Sequence, residues 1–162
     1  AILPCLQEAT GQVEPPVGFF APFFPSRAEP MSKTIRIAAA LLVDPQGRTL
    51  LVRKRGTEAF MQPGGKIEAH ELPVAALARE LFEELGLRIE PEQAGYLGNF
   101  SAPAANEPGF EVVCELFRVE TDAAVVPAAE IEEALWVDAE QAGQLLLAPL
   151  TRDLVLPLYR GA

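Results

Sequence analysis

The sequence predicts an α+β fold, with a mixed β-sheet and helices packed on it. A nearly continuous apolar run over residues 35–43 is long enough for a buried strand. Residues 72–85 carry apolar side chains at helical spacing. Strand and helix candidates then follow one another without regular βαβ alternation and without an internal repeat, which favours the α+β class.

Residues 35–86 are predicted to form a hairpin, a glycine loop and a helix. Residues 44–47 supply turn chemistry, with Pro at the second position and Gly at the fourth, so residues 49–53 are expected to return as a strand. The Pro63–Gly65 segment is a predicted loop in which the backbone can come close to a ligand. In the helix that follows, Pro73 suits the first turn and Gly86 the C-terminal stop.

The second half predicts three strands and two helices. Residues 96–101 and 110–120 are strand candidates joined by a loop rich in Pro, Asn and Gly, and residues 134–137 form another short strand. The last two elements are predicted helices over 138–147 and 151–159. Each of them begins with a residue type that caps helix N-termini.

Composition limits the function classes. The 162-residue chain has a formal net charge of −10, which disfavours a duplex nucleic-acid partner but allows a small anionic substrate whose charge is handled by metal ions or a local basic patch. No apolar run reaches the roughly eighteen residues of a membrane helix, so no membrane partner is expected. Two cysteines cannot form a disulfide framework, and we predict a cytoplasmic protein.

The N-terminal segment differs from the rest, and we divide the chain into an arm, residues 1–32, and a domain, residues 33–162. The arm holds six of the fifteen prolines and four phenylalanines. That proline density excludes regular helical or strand periodicity. Two interpretations stay open: a leader without a catalytic role, or an arm that docks on this domain or on a neighbouring copy, which would be compatible with a homodimer.

The predicted helix 72–85 separates an apolar face from an acidic one. At about 100° per residue, Glu80, Glu83 and Glu84 fall within roughly a hundred degrees of one another, opposite the leucines. Such a cluster is often a solvated face. However, like charges at i,i+4 repel, and Mg²⁺ is commonly held by a few carboxylates together with substrate phosphates. Three carboxylates beside a glycine loop therefore indicate a candidate magnesium site.

The residues from Gly65 to Leu87 resemble the signature of the Nudix hydrolases. All defined positions are present: Gly65, Glu71, Arg79, Glu80, Leu81, Glu83, Glu84, Gly86 and Leu87. The resemblance implies an α/β/α sandwich around a mixed sheet. It also implies cleavage of a nucleoside diphosphate linked to another moiety, by water attack at phosphorus.

The resemblance also implies roles for individual residues. Glu80 and Glu84 would be the principal metal ligands, and Glu83 a further ligand or the base. Gly64 would offer its backbone carbonyl to the metal, and Arg79 would hold the carboxylates by ion pairing, so that Glu80, Glu83 and Arg79 are the expected catalytic residues. Mg²⁺ is the implied cofactor, with Mn²⁺ as a substitute. In this family the base can also lie outside the motif, and five glutamates are candidates: Glu107, Glu111, Glu130, Glu132 and Glu133.

The substrate is less determined. Arg53 and Arg55 end the second strand, and Lys66 follows the paired glycines. These three residues either bind the phosphates or sugar of a small-molecule nucleotide, or they are a solvated strand end. Nucleoside triphosphates compete with ADP-ribose or a related nucleotide sugar as substrate. The alternative function is a non-catalytic Nudix-fold module that binds a nucleotide as a regulator.

Overall fold

The computed structural model describes residues 33–161, so the predicted arm of residues 1–32 lies outside the described residues. The strands of the described part are β1 (Thr34–Val43), β2 (Thr49–Lys54), β3 (Gly64–Lys66), β4 (Ala94–Pro103), β5 (Glu111–Glu120) and β6 (Ile131–Val137). The helices are α1 (Pro73–Leu85), α2 (Ala139–Ala142) and α3 (Leu156–Gly161), with a 3₁₀ turn at Pro91–Gln93 and a π-helical turn at Thr151–Val155. None of the helices in residues 33–161 is long and apolar enough to cross a membrane.

The strands form one mixed sheet in the order β4-β5-β1-β2-β6, as the sequence predicts for an α+β fold. β1 and β5 run parallel along their whole length, from Thr34 opposite Glu111 to Val43 opposite Glu120. The other pairs are antiparallel. β2 pairs with β1 at the hairpin, where Val43 faces Thr49, while β3 pairs with the earlier part of β1.

Strand β1 supplies both sides of the core because its side chains alternate between the two faces of the sheet. Three of its residues pack in the same cluster as Leu77, Leu81 and Leu85 of α1: Ala38, Ala40 and Leu42. Their neighbours pack in a second cluster with Leu150 and Val155: Ala39, Leu41 and Val43. Helices therefore cover both faces, and the expected α/β/α sandwich is confirmed.

Helix α1 has the ends that the sequence predicts. Pro73 occupies its first turn, and Gly86 follows its last residue with a φ of 68°, the left-handed conformation that glycine adopts without strain. The backbone N–H of Gly86 donates to the carbonyl of Phe82. Leu72 stands at the N-cap without a side-chain hydrogen bond, so this end depends on Pro73 rather than on a polar cap.

The prediction of a loop at Pro63–Gly65 is wrong in part, because Gly64–Lys66 forms strand β3 against β1. Gly64 has a φ of +150°, and a Cβ there would lie 2.2 Å from the carbonyl oxygen of Ala38. The glycine is thus required, as expected, by a close backbone approach. The approach is to the neighbouring strand.

The predicted helix over 138–147 ends at Ala142. Asp138 does cap it, accepting from the backbone N–H of Gln141. Beyond it, Phe60 donates its N–H to the carbonyl of Leu146 and accepts from the N–H of Ala148. Because this bridge occupies the backbone groups that a helix needs, the segment is extended there.

The predicted last helix starts differently from the expectation that Thr151 caps it. Residues Thr151–Val155 form a π-helical turn, and α3 begins at Leu156. Thr151 is fully buried, and its hydroxyl donates to Gln62. Because the chain is already helical from Pro149, Thr151 lies within the helical run and not at its N-cap. Pro157 has no N–H for an α-helical bond to the preceding turn, which is consistent with a wider turn at this point.

Candidate active site

The acidic face of α1 is graded in burial. Glu84 is only 2% exposed, Glu80 is half-buried, and Glu83 has an exposed side chain. The gradation arises because α1 rests on the sheet through Leu77, Leu81 and Leu85, and Glu84 lies at the edge of that contact. A helix period identifies the face but does not reveal which of its carboxylates is buried.

Glu84 is a buried carboxylate with little compensation. The backbone N–H of Gly64 donates to its Oε1 at 3.3 Å. Burial raises the pKa of Glu84 to about 8, and the neighbouring charge of Glu80 acts in the same direction, whereas the charge of Lys54 acts against it. Within residues 33–161, the ion pairs observed do not include Glu84.

Arg79 organises the opposite side of the acidic face. Its guanidinium donates to both carboxylate oxygens of Glu71 at 2.9 Å, a bidentate pair. It also donates to Glu80 Oε2 at 2.9 Å and to the carbonyl oxygen of Lys66 at 3.1 Å. The hydrogen bonds from Arg79 hold the pKa of Glu71 at about 2. They also raise the pKa of Arg79 above its usual range.

The hydrogen bond from Arg79 does not fully compensate the burial of the Glu80 carboxylate. Burial raises the pKa of Glu80, while its bond and charge interaction with Arg79 lower it. Glu83 lies farther from the guanidinium, with Oε1 at 3.7 Å from Arg79 Nη1. Arg79 therefore fixes one oxygen of Glu80 and leaves Glu83 on the exposed edge of the face.

Gly65 makes room for the Glu80 carboxylate. A Cβ at position 65 would lie 2.3 Å from Cδ of Glu80 and 2.5 Å and 2.6 Å from its oxygens. Real Cβ contacts are not that short, so any larger residue would displace the carboxylate. Together with Gly64, which donates to Glu84, the glycine pair is in contact with both carboxylates.

The donor set fits a hard divalent cation. Among residues 33–161, no three His, Cys, Asp or Glu side chains come together closely enough to hold a metal ion by themselves. Two glutamates do converge on the glycine pair, and burial raises the pKa of both. A cation offsets such uncompensated charge, and Mg²⁺ takes oxygen ligands while keeping several waters or substrate oxygens. A site with few protein ligands is thus consistent with this chemistry.

A cleft begins at the glycine pair. Its empty volume is about 760 Å³, part of it open to solvent. Polar groups at the glycine end include Lys54 and Lys66, and the other walls are mainly apolar: Ile35, Ile37, Ala39, Met61, Val112 and Leu150. A cleft that is charged at one end and apolar along its walls is suited to a ligand with a charged group and a flat apolar ring.

The predicted substrate residues lie in different places. Lys66 lines the cleft. Arg53 pairs with Glu133 at 3.2 Å and donates to the carbonyl of Thr57, and Arg55 lies 3.5 Å from Glu132. Because successive side chains of a strand point to opposite faces, Lys54, between them, lines the cleft instead. The alternation of β2 could have signalled this.

The structure separates the candidate bases outside the motif. Glu107 lines the cleft on the loop between β4 and β5. Glu130 is near enough to raise the pKa values of Glu80 and Glu84 by its charge, and its Oε2 lies 3.5 Å from Lys54. Glu132 pairs with Arg55 and Glu133 with Arg53, and Glu111 is exposed at the start of β5.

Several side chains stay outside this arrangement, and one pair was missed. His70 is exposed, Cys114 is fully buried in the core, and Trp136 packs against the core. Gln62 and Thr151 both line the cleft and are hydrogen-bonded to each other at 2.8 Å. They are 89 positions apart, so no sequence spacing could have connected them.

Comparison with known proteins identifies the family. A family model of the NUDIX domain matches residues 33–159. The phosphatase NudJ of Escherichia coli strain K12 is 30% identical over 125 residues, which are 72% of this chain and 78% of that protein. An octanoyltransferase of Myxococcus xanthus is 37% identical over 123 residues, which are 71% of this chain but 33% of that protein. The chain spans about a third or less of several curated relatives that it matches.

A solved structure agrees with this result. The MutT protein from Methanosarcina mazei Go1 superposes with a TM-score of 0.66 at 24% identity, covering 82% of this chain and 97% of that one. This likeness concerns the fold, in which the motif helix α1 lies on the mixed sheet. Because the family model matches most of the chain, including the glycine pair and the acidic helix, the chain belongs to the Nudix hydrolase family.

Proposed function

We propose that this chain is a divalent-metal-dependent pyrophosphohydrolase that cleaves a nucleoside diphosphate linked to another moiety, by attack of water at phosphorus. The observation that carries the proposal is the burial of Glu84 beside Glu80, next to the glycines that line the cleft. Burying uncompensated carboxylates costs stability, and this arrangement is useful where a cation and an anionic substrate meet. Membership of the Nudix hydrolase family supports the proposal, as does the name of NudJ as a phosphatase.

The proposed metal site consists of the carboxylates of Glu80 and Glu84 and the backbone carbonyl of Gly64, with Glu83 as a further ligand or as the base. Mg²⁺ is the proposed cofactor and Mn²⁺ a substitute; when bound, the cation neutralises phosphate oxygens and lowers the pKa of a coordinated water. Arg79 is a positioning residue in this scheme. Its hydrogen bonds to Glu71, Glu80 and the Lys66 carbonyl connect α1 to β3 and to the residue Glu71 before the helix.

A carboxylate must also take or orient the proton of the attacking water. Glu83 is exposed on the acidic face and can do so from the motif. Outside the motif, Glu107 in the cleft and Glu130 beside Lys54 are the two candidates with suitable positions. Replacing each of the three by Gln and comparing pH profiles of turnover distinguishes them, since only loss of the base removes the acidic limb.

The basic residues divide into two proposed groups. Lys54 and Lys66 line the cleft, where they can contact substrate phosphates. Arg53 and Arg55 were predicted for the same task, and they reach a substrate only by releasing Glu133 and Glu132. We therefore expect Lys66→Met to raise KM for a nucleotide severalfold, more than Arg55→Met does, because Lys66 lines the cleft and Arg55 does not.

Two substrate groups remain under the proposal: nucleoside triphosphates, and ADP-ribose or another nucleotide sugar. ADP-ribose members of the family tend to carry a proline about fifteen residues beyond the motif, and Pro103, the last residue of β4, lies sixteen residues beyond Leu87 and lines the cleft. The alternative function is a non-catalytic module that binds a nucleotide through the same cleft. Such a module has no use for a costly buried Glu84, which favours the enzyme.

The experiment is a product-resolved hydrolysis panel with the whole chain, in Mg²⁺, in Mn²⁺ and in EDTA. The panel contains the four standard ribonucleoside triphosphates, ADP-ribose and NADH. Metal-dependent release of a nucleoside monophosphate, with the second product identified, supports the proposal and names the substrate group. Tight nucleotide binding without any turnover favours the regulatory module, and hydrolysis that persists in EDTA contradicts the metal assignment.

A further inference from the structure

Gln62 has a polar group with no function in the fold. In residues 33–161, two buried side-chain polar atoms have no hydrogen-bond partner, Thr49 Oγ1 and Gln62 Nε2. Of these two residues, Gln62 lines the cleft, although it is only 6% exposed. A buried amide group without a partner destabilises a protein, so such a group calls for an explanation.

The other end of the same amide is fixed. The hydroxyl of Thr151, itself fully buried, donates to Gln62 Oε1 at 2.8 Å. Thr151 lies at the start of the π-helical turn, and the backbone bridge between Met61 and Val52 holds the chain just before Gln62. The amide oxygen of Gln62 is thus hydrogen-bonded to Thr151, whereas the two N–H groups of its Nε2 have no acceptor.

The position of Gln62 relates it to the proposed substrate. It lies two residues before Gly64, at most about 7 Å away along an extended chain. Gly64 and Gly65 contact the carboxylates that would hold the metal, and the metal would in turn bind the substrate phosphates. The nearby cleft walls are apolar, with Ile37, Met61 and Leu150 among them. A nucleotide whose phosphates lie at the glycine pair can therefore place its base against these walls and within reach of Gln62.

We infer that Gln62 selects the nucleobase by donating a hydrogen bond from Nε2 to a ring carbonyl oxygen. This inference rests on the proposed function and narrows its substrate class to nucleotides whose base carries such an oxygen, for example guanine and uracil. Adenine carries an amino group at the position where guanine carries its carbonyl oxygen, so a donor placed to meet that oxygen would face N–H groups instead. The ring nitrogens of adenine also accept hydrogen bonds, but they lie at other positions on the base. A site that contains a buried donor rejects a ligand lacking the matching acceptor.

The test compares bases by both turnover and binding. With the whole chain in Mg²⁺, kcat/KM is measured for GTP, UTP, ATP and ADP-ribose, and binding of GMP, UMP and AMP is measured by calorimetry. We expect guanine or uracil nucleotides to exceed their adenine counterparts on the order of ten-fold in both measurements. The base ratio is the readout, because any uniform loss of activity cancels in it.

Two variants change the donor in different ways. Gln62→Met removes it at similar side-chain length and should bring the base ratio near one. Gln62→Glu keeps an acceptor for Thr151 but offers an oxygen instead of N–H groups, so the ratio should turn towards adenine. Gln144→Met, at an exposed position that does not line the cleft, is the matched control and should leave the ratio unchanged. Thermal unfolding of each variant verifies its fold.

The experiment separates failure of this inference from failure of the proposed function. Equal use of all bases by the unmodified chain, a preference for adenine, or a base ratio that neither Gln62 variant moves overturns the inference. If no substrate is hydrolysed but GMP or UMP still binds more tightly than AMP in a Gln62-dependent way, the proposed function fails and the inference holds. Absence of both hydrolysis and binding overturns both.

Discussion

Two carboxylates in contact with the same helix have opposite electrostatic environments. Glu71 is bound bidentately by Arg79 and accepts a backbone N–H from Glu68, and its pKa is held at about 2. Glu84 is nearly inaccessible and has one backbone donor, and its pKa is raised to about 8. The fold therefore stabilises the ionised form of Glu71. It destabilises the ionised form of Glu84.

This difference separates a structural carboxylate from a functional one. A buried carboxylate with little compensation destabilises the folded state, and such an arrangement is consistent with a ligand that compensates the charge. Glu71 and Arg79, by contrast, form a unit that is complete within the chain. The residues of one sequence motif thus divide into an ion pair that is complete within the chain and the carboxylates that we propose as cation ligands.

The largest expected effect concerns Glu84 itself. Glu84→Gln removes the ligand charge while keeping the shape, and we expect turnover in Mg²⁺ to fall on the order of a thousand-fold with the fold intact. Glu92→Gln, an exposed glutamate outside the motif, is the control and should keep full activity. Near-normal turnover of the Glu84 variant would contradict the assignment of Glu84 as a metal ligand.

The same substitution should stabilise the metal-free protein. Because the folded pKa of Glu84, about 8, lies above its ordinary value of 4.5, the folded state binds more protons and stability falls as pH rises from about 4.5 to 8. At pH 8 in EDTA, Glu84→Gln should unfold with a free energy higher by on the order of 3 kcal/mol. Urea titrations at pH 5 and pH 8 measure the difference, which should shrink at pH 5. A variant less stable than the unmodified chain at pH 8 would refute the view of Glu84 as a tolerated charge.

A moderate effect is expected from Arg79→Lys. Lysine keeps the positive charge but cannot bind Glu71 bidentately while also contacting Glu80 and the Lys66 carbonyl. We expect kcat to fall roughly 10–100-fold with KM little changed, because the residue orients a ligand rather than the substrate. Arg88→Lys, at an exposed arginine stacked on Phe82, is the control. Equal kinetics for both variants would show that Arg79 has no positioning role.

The smallest effect is on acid stability. Since the folded pKa of Glu71, about 2, lies below its ordinary value of 4.5, Glu71 stabilises the protein above pH 4.5, and this contribution is lost as pH falls from 4.5 to 2. Glu71→Gln should therefore reduce stability at pH 7 and flatten the acid part of the profile. Denaturation of both proteins between pH 2 and 7 measures this. Parallel profiles would contradict the role of the Arg79 pair.

The parts of the fold that the sequence predicted well depend on local patterns. Helix α1 has Pro73 and Gly86 at the predicted ends, and the apolar run before residue 43 forms the central strand. The predictions were wrong where backbone partners come from far away. The bridge between Phe60 and residues 146–148 shortened one helix. The expected cap at Thr151 was wrong for a different reason, because the last helical run already begins at Pro149.

The candidate site shows the same division. Residue types and spacing brought Glu80, Glu83, Glu84 and Arg79 onto one helix face, because helix geometry fixes angular positions from sequence separation alone. Side-chain alternation along β2 predicts that Lys54 and Arg53 point to opposite faces of the sheet. Only the tertiary structure shows that the face with Lys54 borders the cleft.

The sequence by itself determined the helix, its acidic face, the adjoining glycines and the family motif, since these depend on neighbours within one or two turns. Only the tertiary structure decided that Glu84 is buried and Glu83 exposed, that Gly65 accommodates the Glu80 carboxylate, and that Gln62 keeps an unpaired donor in the cleft. Burial and hydrogen-bond partners arise from contacts between segments distant in the chain. The electrostatics of the site therefore follow from packing, which residue spacing does not encode.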